Sequence, residues 1–360
     1  MSITEFPVGL HTRVQQVIQF IEKQSSKVCM IGIWGMGGSG KTTTARDIYN
    51  KIHRKFVDHS FIENIREVYE KENRGITHLQ EQLLSNVLKT IEKRFMRKKT
   101  LIVLDDVSTL EQVEALCVNC KCFGTGSVLI VTSRDVRILK LLKVDCIYNI
   151  KEMDENKSLE LFCWHAFREP SPKGDFSELS RRIVVYCRGL PLALEVIGSY
   201  LRDRKIQEWI SVLSKLERIP DDKVQEKLRI SYDGLKNDTE KDIFLDICCF
   251  FIGKDRAYVS EIIDGCDFYA GIGITVLIER SLLKIEKNNK LGMHSLLRDM
   301  GREIVRKRSI KEPGKRSRLW FHKDAHKVLT EKTVRTLYKI KYETSDHSPS
   351  SCQDFLFICN

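Results

Sequence analysis

The feature that most restricts the fold of this chain is a glycine cluster between residues 31 and 49, IGIWGMGGSGKTTTARDIY. An apolar run stops at the glycines, and a lysine, three threonines and a helix-like pattern follow at once. Gly35 to Thr42 match the pattern G-x-x-x-x-G-K-[ST], in which backbone N–H groups turn inward around a phosphate. This requires a strand that ends at the loop and a helix that begins directly after it. The stretch therefore predicts an α/β domain with a phosphate-binding loop.

Each part of this loop has a predicted task. The glycine backbone and the helix N-terminus bind phosphate oxygens. Lys41 reaches the β- and γ-phosphates, and the hydroxyl of Thr42 is a predicted Mg²⁺ ligand. The predicted nucleotide-binding residues of the loop are Gly35, Gly37, Gly38, Ser39, Gly40, Lys41, Thr42 and Thr43.

Short apolar runs alternate with helix-period segments from residue 28 to 150, the pattern of a parallel sheet flanked by helices. Five strands are predicted, at 28–34, 60–65, 100–106, 127–133 and 146–150. Apolar residues from Leu79 to Phe95 predict one face of a long helix between the second and third strands. We therefore expect an α/β P-loop NTPase domain over residues 27–150, preceded by a linker over 1–26.

Two acidic residues end the strand at 100–106, and an arginine follows the strand at 127–133. Parallel strands bind ligands at their carboxyl ends, so these side chains are expected beside the phosphate loop. Asp105 is predicted to hold Mg²⁺ through water, and Asp106 to orient or deprotonate an attacking water as the catalytic residue. Arg134 is predicted to sense a γ-phosphate. A surface arginine paired with a nearby acid fits the same pattern.

After Met153 helical periodicity replaces the strands. Consecutive helices are predicted at 158–167, 177–187, 190–201, 206–216, 224–235 and 240–251. Two short apolar runs around a Lys-Asn-Asn-Lys turn at 281–294 predict a β-hairpin, followed by a helix near 296–308. We therefore predict a helical domain over 151–237, a winged-helix domain over 238–310 and a basic tail over 311–360 with a loose end.

Charge and hydropathy limit the class of protein. The formal net charge is +11, and the segment Arg302–Lys341 carries fourteen Lys or Arg against four Asp or Glu. Such a segment can attract nucleic acid, although a solvated basic face is the simpler explanation. No apolar run reaches the ~20 residues of a membrane-spanning helix, and the N-terminus lacks a secretion signal. We therefore expect a cytoplasmic protein, with the nucleus as the other possible location.

The twelve cysteines are scattered along the chain. Most are predicted to be buried thiols in a reducing compartment. One cluster, Cys117, Cys120 and Cys122, has no evident fourth ligand for zinc, which disfavours a metal site there.

Taken in order, these motifs resemble the NB-ARC nucleotide-binding switch modules of plant intracellular immune receptors, most closely those with an N-terminal TIR domain. The resemblance extends from about Phe6 to Leu329. Besides the phosphate loop it rests on FIENIRE (61–67), LIVLDDV (101–107), SVLIVTSRD (127–135), LFCWHAF (161–167), GLPLALEVIGSYL (189–201), FLDICCFF (244–251) and LGMHSLLRDMGREIV (291–305).

The resemblance implies a switch that holds ADP at rest and exchanges it for ATP on activation. It places Pro191 near the adenine and His294 against the ADP β-phosphate. From the residues alone, Pro191 is equally a normal helix start, and His294 is more often a structural histidine. Ser295 stands where the family usually has aspartate, which predicts a looser closed state. No TIR domain precedes Phe6, and no leucine-rich repeat follows Leu329, so a truncated receptor without NAD-cleaving activity is expected.

Two other functions stay open at this point. The first is a P-loop regulator that binds DNA through its winged-helix unit and basic C-terminal stretch. The second is a P-loop kinase or another fast enzyme, for which no acceptor site is evident. The expected partners are nucleotide and Mg²⁺, with self-association or other immune-receptor proteins as further possibilities.

Overall fold

The computed structural model of the chain describes residues 5–71, 98–116, 123–216, 219–265, 268–331, 339–341 and 355–357. The chain divides into two compact units, Met1–Ile210 and Ser211–Asn360. The helix predicted over Leu79–Phe95 lies outside the described residues, as does the cysteine cluster at 117, 120 and 122.

The first unit is built around a five-stranded parallel sheet. Its strands are β1 (Cys29–Trp34), β2 (Asp58–Ile62), β3 (Thr100–Val107), β4 (Val128–Ser133) and β5 (Cys146–Asn149). Their order across the sheet is β2-β3-β4-β1-β5. The five predicted strands are confirmed, with one wrong boundary. Asn64 takes a left-handed φ of 53°, so β2 ends before it and a helix begins at Ile65.

Helices cover both faces of this sheet. They are α1 (Leu10–Lys23), α2 (Lys41–Ile52), α3 (Ile65–Lys71), α4 (Leu110–Ala115) and α5 (Val136–Leu141). Alternate residues of β3 enter different cores: Leu101 and Val103 pack with α1 and α2, whereas Ile102 and Leu104 pack with α3, α4 and α5. Because both faces are covered, the inner strands are nearly continuous apolar runs rather than alternating ones.

The segment predicted as a linker contains α1. Leu10, Val14, Val17 and Ile21 lie at helical spacing on its buried face and belong to the same core cluster as β1 and α2. This spacing is that of an amphipathic helix which gains its stability by packing on a core. The start of the chain is therefore part of the nucleotide-binding fold for Leu10–Lys23.

Four helices follow the sheet: α6 (Glu155–Phe167), α7 (Ser177–Cys187), α8 (Pro191–Leu201) and α9 (Ile206–Leu216). Gly189, between α7 and α8, has a φ of 73°, and a Cβ there would come within 2.4 Å of the Met153 carbonyl oxygen. Glycine is required by both the backbone conformation and this close approach. The predicted run of helices after Met153 is confirmed.

The second unit begins with α10 (Asp222–Asp233) and α11 (Asp238–Asp246). It continues with α12 (Arg256–Asp264), α13 (Ala270–Glu279), an antiparallel hairpin of β6 (Lys284–Ile285) and β7 (Leu291–Gly292), and α14 (Ser295–Arg308). The predicted hairpin and final helix are confirmed. The helix predicted to reach residue 251 ends at Asp246, because Ile247–Phe251 form a π-helical turn.

After α14 the chain forms β8 (Arg318–Leu319), α15 (His322–Thr330), β9 (Lys339–Lys341) and β10 (Phe355–Phe357). β9 pairs in parallel with β8, and β10 pairs antiparallel with β9. The prediction of a loose end is therefore wrong for residues 355–357. The reason is the Phe-Leu-Phe triplet itself, since aromatic residues favour strands.

Six cysteines within the described residues are free thiols, and all but Cys146 are buried. Burial raises the pKa of Cys29 to about 11 and the pKa values of Cys163 and Cys249 to about 12. A thiol with such a pKa is a poor nucleophile near neutral pH. These side chains act as small apolar groups in the core, as the sequence predicts.

Candidate nucleotide-binding site

The phosphate loop connects β1 to α2. Gly38 and Gly40 have left-handed φ angles of 77° and 95°, a conformation that side chains other than hydrogen disfavour. A Cβ at Gly38 would also lie only 2.7 Å from Cβ of Leu192. The backbone N–H of Leu192 donates to the Gly38 carbonyl at 3.3 Å. The glycines thus allow both the turn and the close packing of α8 against it.

The side chain of Lys41 is enclosed by this loop. Lys41 is 6% exposed, and its Nζ donates to the carbonyl oxygens of Gly35 and Met36, both at 2.8 Å. Burial lowers the pKa of Lys41 to about 7, and the positive charge of Arg134 adds to this effect. A buried ammonium group is costly, and an anion in contact with it would offset that cost.

Thr42 and Asp105 are in direct contact. The Thr42 hydroxyl donates to Asp105 Oδ1 at 2.9 Å, and the Thr132 hydroxyl donates to the same oxygen at 2.7 Å. Asp105 is fully buried. Burial raises its pKa, while the hydrogen bonds from Thr132 and Thr42 oppose that rise. Sequence analysis placed Thr42 and Asp105 at one site, and the structure brings them together.

These oxygens fit a phosphate-bound Mg²⁺ ion. Mg²⁺ prefers hard oxygen ligands and usually keeps one or two protein oxygens beside water and phosphate, which matches Thr42 and Asp105. The Ser39 hydroxyl in the loop is buried, 4% exposed, and lacks a hydrogen-bond partner within the described part of the chain. A buried polar atom without a partner is costly, and a phosphate oxygen would satisfy it.

Asp106 faces a different group of side chains. Its carboxylate contacts Arg66 Nη2 at 2.5 Å and Arg134 Nε at 3.3 Å. Arg134 does pair with a nearby acid, as the alternative interpretation expects, but only 17% of its side chain is exposed, so it is not a surface arginine. Arg66 was missed by sequence reasoning. It follows β2 closely, as Arg134 follows β4, and that position was the available signal.

A pocket beside the loop is lined by both apolar and polar side chains. It is lined by Phe6, Val8, Gly40, Thr43, His165 and Pro191, among others. Pro191 is the first residue of α8, so its two sequence interpretations are compatible. Sequence reasoning missed the contribution of Phe6 and Val8, because an irregular segment before a helix carries no periodic signal.

His294 lies in the second unit as the N-cap of α14. Its Nδ1 accepts a hydrogen bond from the Leu296 backbone N–H at 3.2 Å, and the residue is 7% exposed. This is a structural role of the kind considered as the alternative. Ser295 has a buried hydroxyl with no hydrogen-bond partner among the described residues. The contact of His294 with a β-phosphate stays a prediction.

The basic residues of α14 contact groups within the second unit. Arg302 donates to the Cys248 carbonyl at 3.0 Å, and Arg306 forms a two-point ion pair with the buried Glu303. Arg298 pairs with Asp299, and Arg308 lies 3.4 Å from the Ser317 hydroxyl. A helix that reads DNA instead presents such side chains to base edges.

Within the described residues, no helix has both the length and the apolar composition needed to cross a membrane.

Comparison with known proteins agrees with this architecture. Residues 10–172 match the NB-ARC domain model, and residues 237–309 match the model described as Disease resistance protein Roq1-like, winged-helix domain. Among solved structures, the walker-type ATPase paby2304 of Pyrococcus abyssi matches with a TM-score of 0.57 at 13% identity, over 81% of this chain and 95% of that one. At that identity the match supports the fold alone.

Curated relatives carry the same regions. The chain is 43% identical over 338 residues to Disease resistance protein RUN1 of Vitis rotundifolia, covering 90% of this chain and 25% of that protein. It is 36% identical to TMV resistance protein N of Nicotiana glutinosa over 353 residues, covering 92% of this chain and 30% of that protein. The chain thus spans about a quarter to a third of the length of these relatives. It is a member of the plant NB-ARC disease-resistance proteins, with their P-loop nucleotide-binding domain and a Roq1-like winged-helix domain.

Proposed function

We propose that the chain is an ADP/ATP-dependent molecular switch for plant immune signalling, with ADP bound at rest, ATP bound when active, and at most slow hydrolysis. The observation that carries this proposal is the direct contact of Thr42 with Asp105, next to the buried ammonium group of Lys41. A loop lysine together with a hydroxyl and a carboxylate in contact suits a Mg²⁺-bound di- or triphosphate.

The loop residues divide the work of holding the nucleotide. Backbone N–H groups from Gly35 to Thr43 and the Ser39 hydroxyl bind phosphate oxygens, and Lys41 neutralises their charge. Thr42, and Asp105 through water, would hold Mg²⁺, which would neutralise charge on the bound polyphosphate. Arg134 contacts the third phosphate, and Asp106 remains the candidate catalytic residue.

The pocket beside Pro191 and Gly40 receives the adenine in this proposal. Proline, valine and aromatic side chains would contact the ring, and the polar side chains of Arg13 and Glu195 also line the pocket, a combination typical of sites for small ligands. The relatives named above are called disease-resistance proteins, which favours immune signalling as the process. Nucleotide, other immune-receptor proteins and a second copy of the chain are the proposed partners, and the cytoplasm, with the nucleus as a second location, is the proposed compartment.

His294 connects the winged-helix domain to the state of the switch in this proposal. An imidazole near the β-phosphate favours the ADP-bound form, and Ser295 supplies only a neutral hydroxyl next to it. The DNA-binding alternative is weaker, because the arginines of α14 contact groups within their own unit. A fast phosphotransferase also requires a substrate pocket beside Asp106, where two arginines lie instead.

Nucleotide content tests the proposal. The chain, purified without added nucleotide and then denatured, should release ADP at close to one equivalent, measured by ion-exchange chromatography of the supernatant. An empty site that also fails to bind added ADP would contradict the switch. DNA binding that weakens steeply with salt would instead support the alternative, and rapid multiple-turnover ATP hydrolysis would support an enzyme.

A further inference from the structure

The carboxylate of Asp106 lies between two guanidinium groups. Arg66 contacts one of its oxygens at 2.5 Å and Arg134 contacts the other at 3.3 Å. The three side chains are 13–17% exposed, so the cluster is largely shielded from water. Each carboxylate oxygen thus already accepts from an arginine, so Asp106 could act as a base toward an attacking water only after the arginines move away.

The backbone of β3 gives Asp106 this orientation. The pairing register between β3 and β4 shifts between Leu104 and Val107, and Asp106 has a left-handed φ of 58°. Its N–H donates to the Thr132 hydroxyl at 2.8 Å, and that hydroxyl donates to Asp105. A bulge re-aims side chains at the end of a strand. Asp105 is thereby turned toward Thr42, and its neighbour is turned toward the arginines.

Arg66 reaches the cluster through the turn after β2. Asn64, at φ 53°, ends the extended backbone, and α3 begins at Ile65. Arg66 therefore lies in the first turn of α3, on the same edge of the sheet as the ends of β3 and β4. Two side chains from different elements converge on one carboxylate.

The cluster has more positive than negative charge. It consists of the cations Lys41, Arg66 and Arg134 and the acids Asp105 and Asp106, whose charges all act on Lys41. Burial is the main cause that lowers the pKa of Lys41 and of Arg134; Arg134 and Arg66 lower the pKa of Lys41 further, and Arg66 lowers that of Arg134, while the aspartates oppose both shifts. Like charges that repel one another in a shielded site are stabilised when a polyanion binds. A structural ion pair needs only one arginine for each aspartate, whereas here two arginines share Asp106.

We propose that Arg66 is a second triphosphate-specific residue, which contacts the third phosphate together with Arg134, and that Asp106 is the positioning residue that holds both arginines when only a diphosphate is bound. This inference rests on the proposed nucleotide function. The third phosphate and the Asp106 carboxylate compete for the same donors. Arginine suits this exchange, because its planar fork binds carboxylate and phosphate equally well.

The test compares a diphosphate with a non-hydrolysable triphosphate. Dissociation constants for ADP and for AMP-PNP are measured with Mg²⁺ by isothermal titration calorimetry on the whole chain. R66Q should weaken AMP-PNP binding by about tenfold or more and leave ADP binding within about twofold. R66K, which keeps the charge but not the fork, should give an intermediate loss of AMP-PNP affinity.

Arg46 provides the matched control. It forms a two-point, partly buried ion pair with Glu63, and neither residue belongs to the proposed site. R46Q should leave both dissociation constants unchanged. D106N should have the opposite effect to R66Q and strengthen AMP-PNP binding relative to ADP, because it removes the competing negative charge.

The outcomes separate the two proposals. If the wild-type chain binds neither nucleotide, the proposed function fails and this inference fails with it. If the wild-type chain binds both, equal losses for ADP and AMP-PNP in R66Q would overturn the role of Arg66 alone. A fall in AMP-PNP preference in D106N would overturn the positioning role of Asp106. Retained ADP affinity in each variant shows at the same time that the protein is folded.

Discussion

Each of the two units contains a cluster of arginine and aspartate, and the two clusters have opposite charge balance. In the first unit Arg66 and Arg134 share Asp106, and Lys41 and Asp105 lie beside them. In the second unit a single guanidinium, that of Arg318, contacts two acids: Asp246 at 2.6 Å and Asp242 at 3.0 Å. The first cluster is net positive, whereas the second has one more acid than base.

This difference in charge balance is the one expected between a ligand-binding site and a purely structural ion pair. In the second cluster Arg318 also donates to the Asp242 backbone carbonyl, so its fork is filled by groups of α11. It ties β8 to a helix distant in sequence. In the first cluster the cations outnumber the acids, and Ser39 has a buried hydroxyl without a partner among the described residues. Excess charge with unsatisfied polar atoms indicates a ligand, whereas complete local pairing indicates stabilisation.

The largest expected effect comes from a substitution that breaks the second cluster. Arg318→Met leaves Asp246, which is 0% exposed, without its guanidinium partner. Removal of one member of a buried ion pair typically costs about 3–5 kcal/mol, so urea denaturation should show a loss of unfolding free energy in this range. ADP affinity of the folded variant should be unchanged.

A double variant distinguishes a contribution of charge from a contribution of packing. Arg318→Met with Asp246→Leu removes the arginine and the fully buried acid, and it leaves Asp242, which is 39% exposed, to be solvated by water. The double variant should recover most of the lost stability, because apolar replacement of a buried pair is often neutral. If the double variant is as unstable as the single one, the arginine contributes through packing rather than through charge.

The next effect concerns the first cluster. Lys41→Arg should lower ADP affinity by about a hundredfold or more, because a planar guanidinium cannot replace a compact ammonium group inside the loop. Fluorescent-ADP titration measures this change, and the urea midpoint should fall little. ADP affinity equal to wild type would refute the phosphate site, even if the unfolding curves match the expectation.

A smaller effect is expected from a substitution that tests whether Asp105 helps to bind Mg²⁺. Asp105→Ala should weaken Mg²⁺-dependent AMP-PNP binding by about thirtyfold and ADP binding by less, since Mg²⁺ would neutralise more charge on a triphosphate than on a diphosphate. Titrations with excess EDTA are the control, and there the variant and the wild type should differ little. Equal losses for the two nucleotides, with or without Mg²⁺, would argue against the metal role of Asp105.

The smallest effect follows from the lowered pKa of Lys41, about 7 because of burial. Below pH 7 the free chain already carries the ammonium charge that phosphate needs. Above pH 7 the lysine must take up a proton on binding, so ADP affinity should fall by nearly tenfold per pH unit from pH 7.5 upward. Calorimetry at pH 8 in buffers of different ionisation enthalpy should detect uptake of about one proton. A flat profile would mean that Lys41 stays charged in the free chain.

Much of this fold follows from local patterns. The glycine loop predicts β1 and α2, and the apolar runs before Asp105 and Arg134 predict β3 and β4. Parallel pairing then predicts that Thr42 and Asp105 approach each other. These features depend on the order of residues within a strand or a turn, which a single sequence displays directly.

Other features depend on contacts between distant residues. The burial of Leu10 in the core, where a linker is predicted, reflects packing of α1 that propensity does not encode. The turn at Asn64 determines whether Arg66 continues a strand or begins a helix. The pairing of Arg66 with Asp106 further requires the register shift in β3 between Leu104 and Val107, which no pattern in the sequence predicts. Sequence reasoning could assign a role to Asp106, but not the two arginines that occupy its carboxylate.

The left-handed backbone of Asp106 also limits which replacements are informative. Aspartate and asparagine tolerate this conformation better than other side chains, so Asn changes the charge and leaves the turn intact. Glycine keeps the turn and removes the side chain, whereas a β-branched residue would strain the backbone directly after Asp105. Chemistry and backbone shape can therefore be varied separately at one position. In related chains, Asp, Asn and Gly are the residues that this turn would accept there.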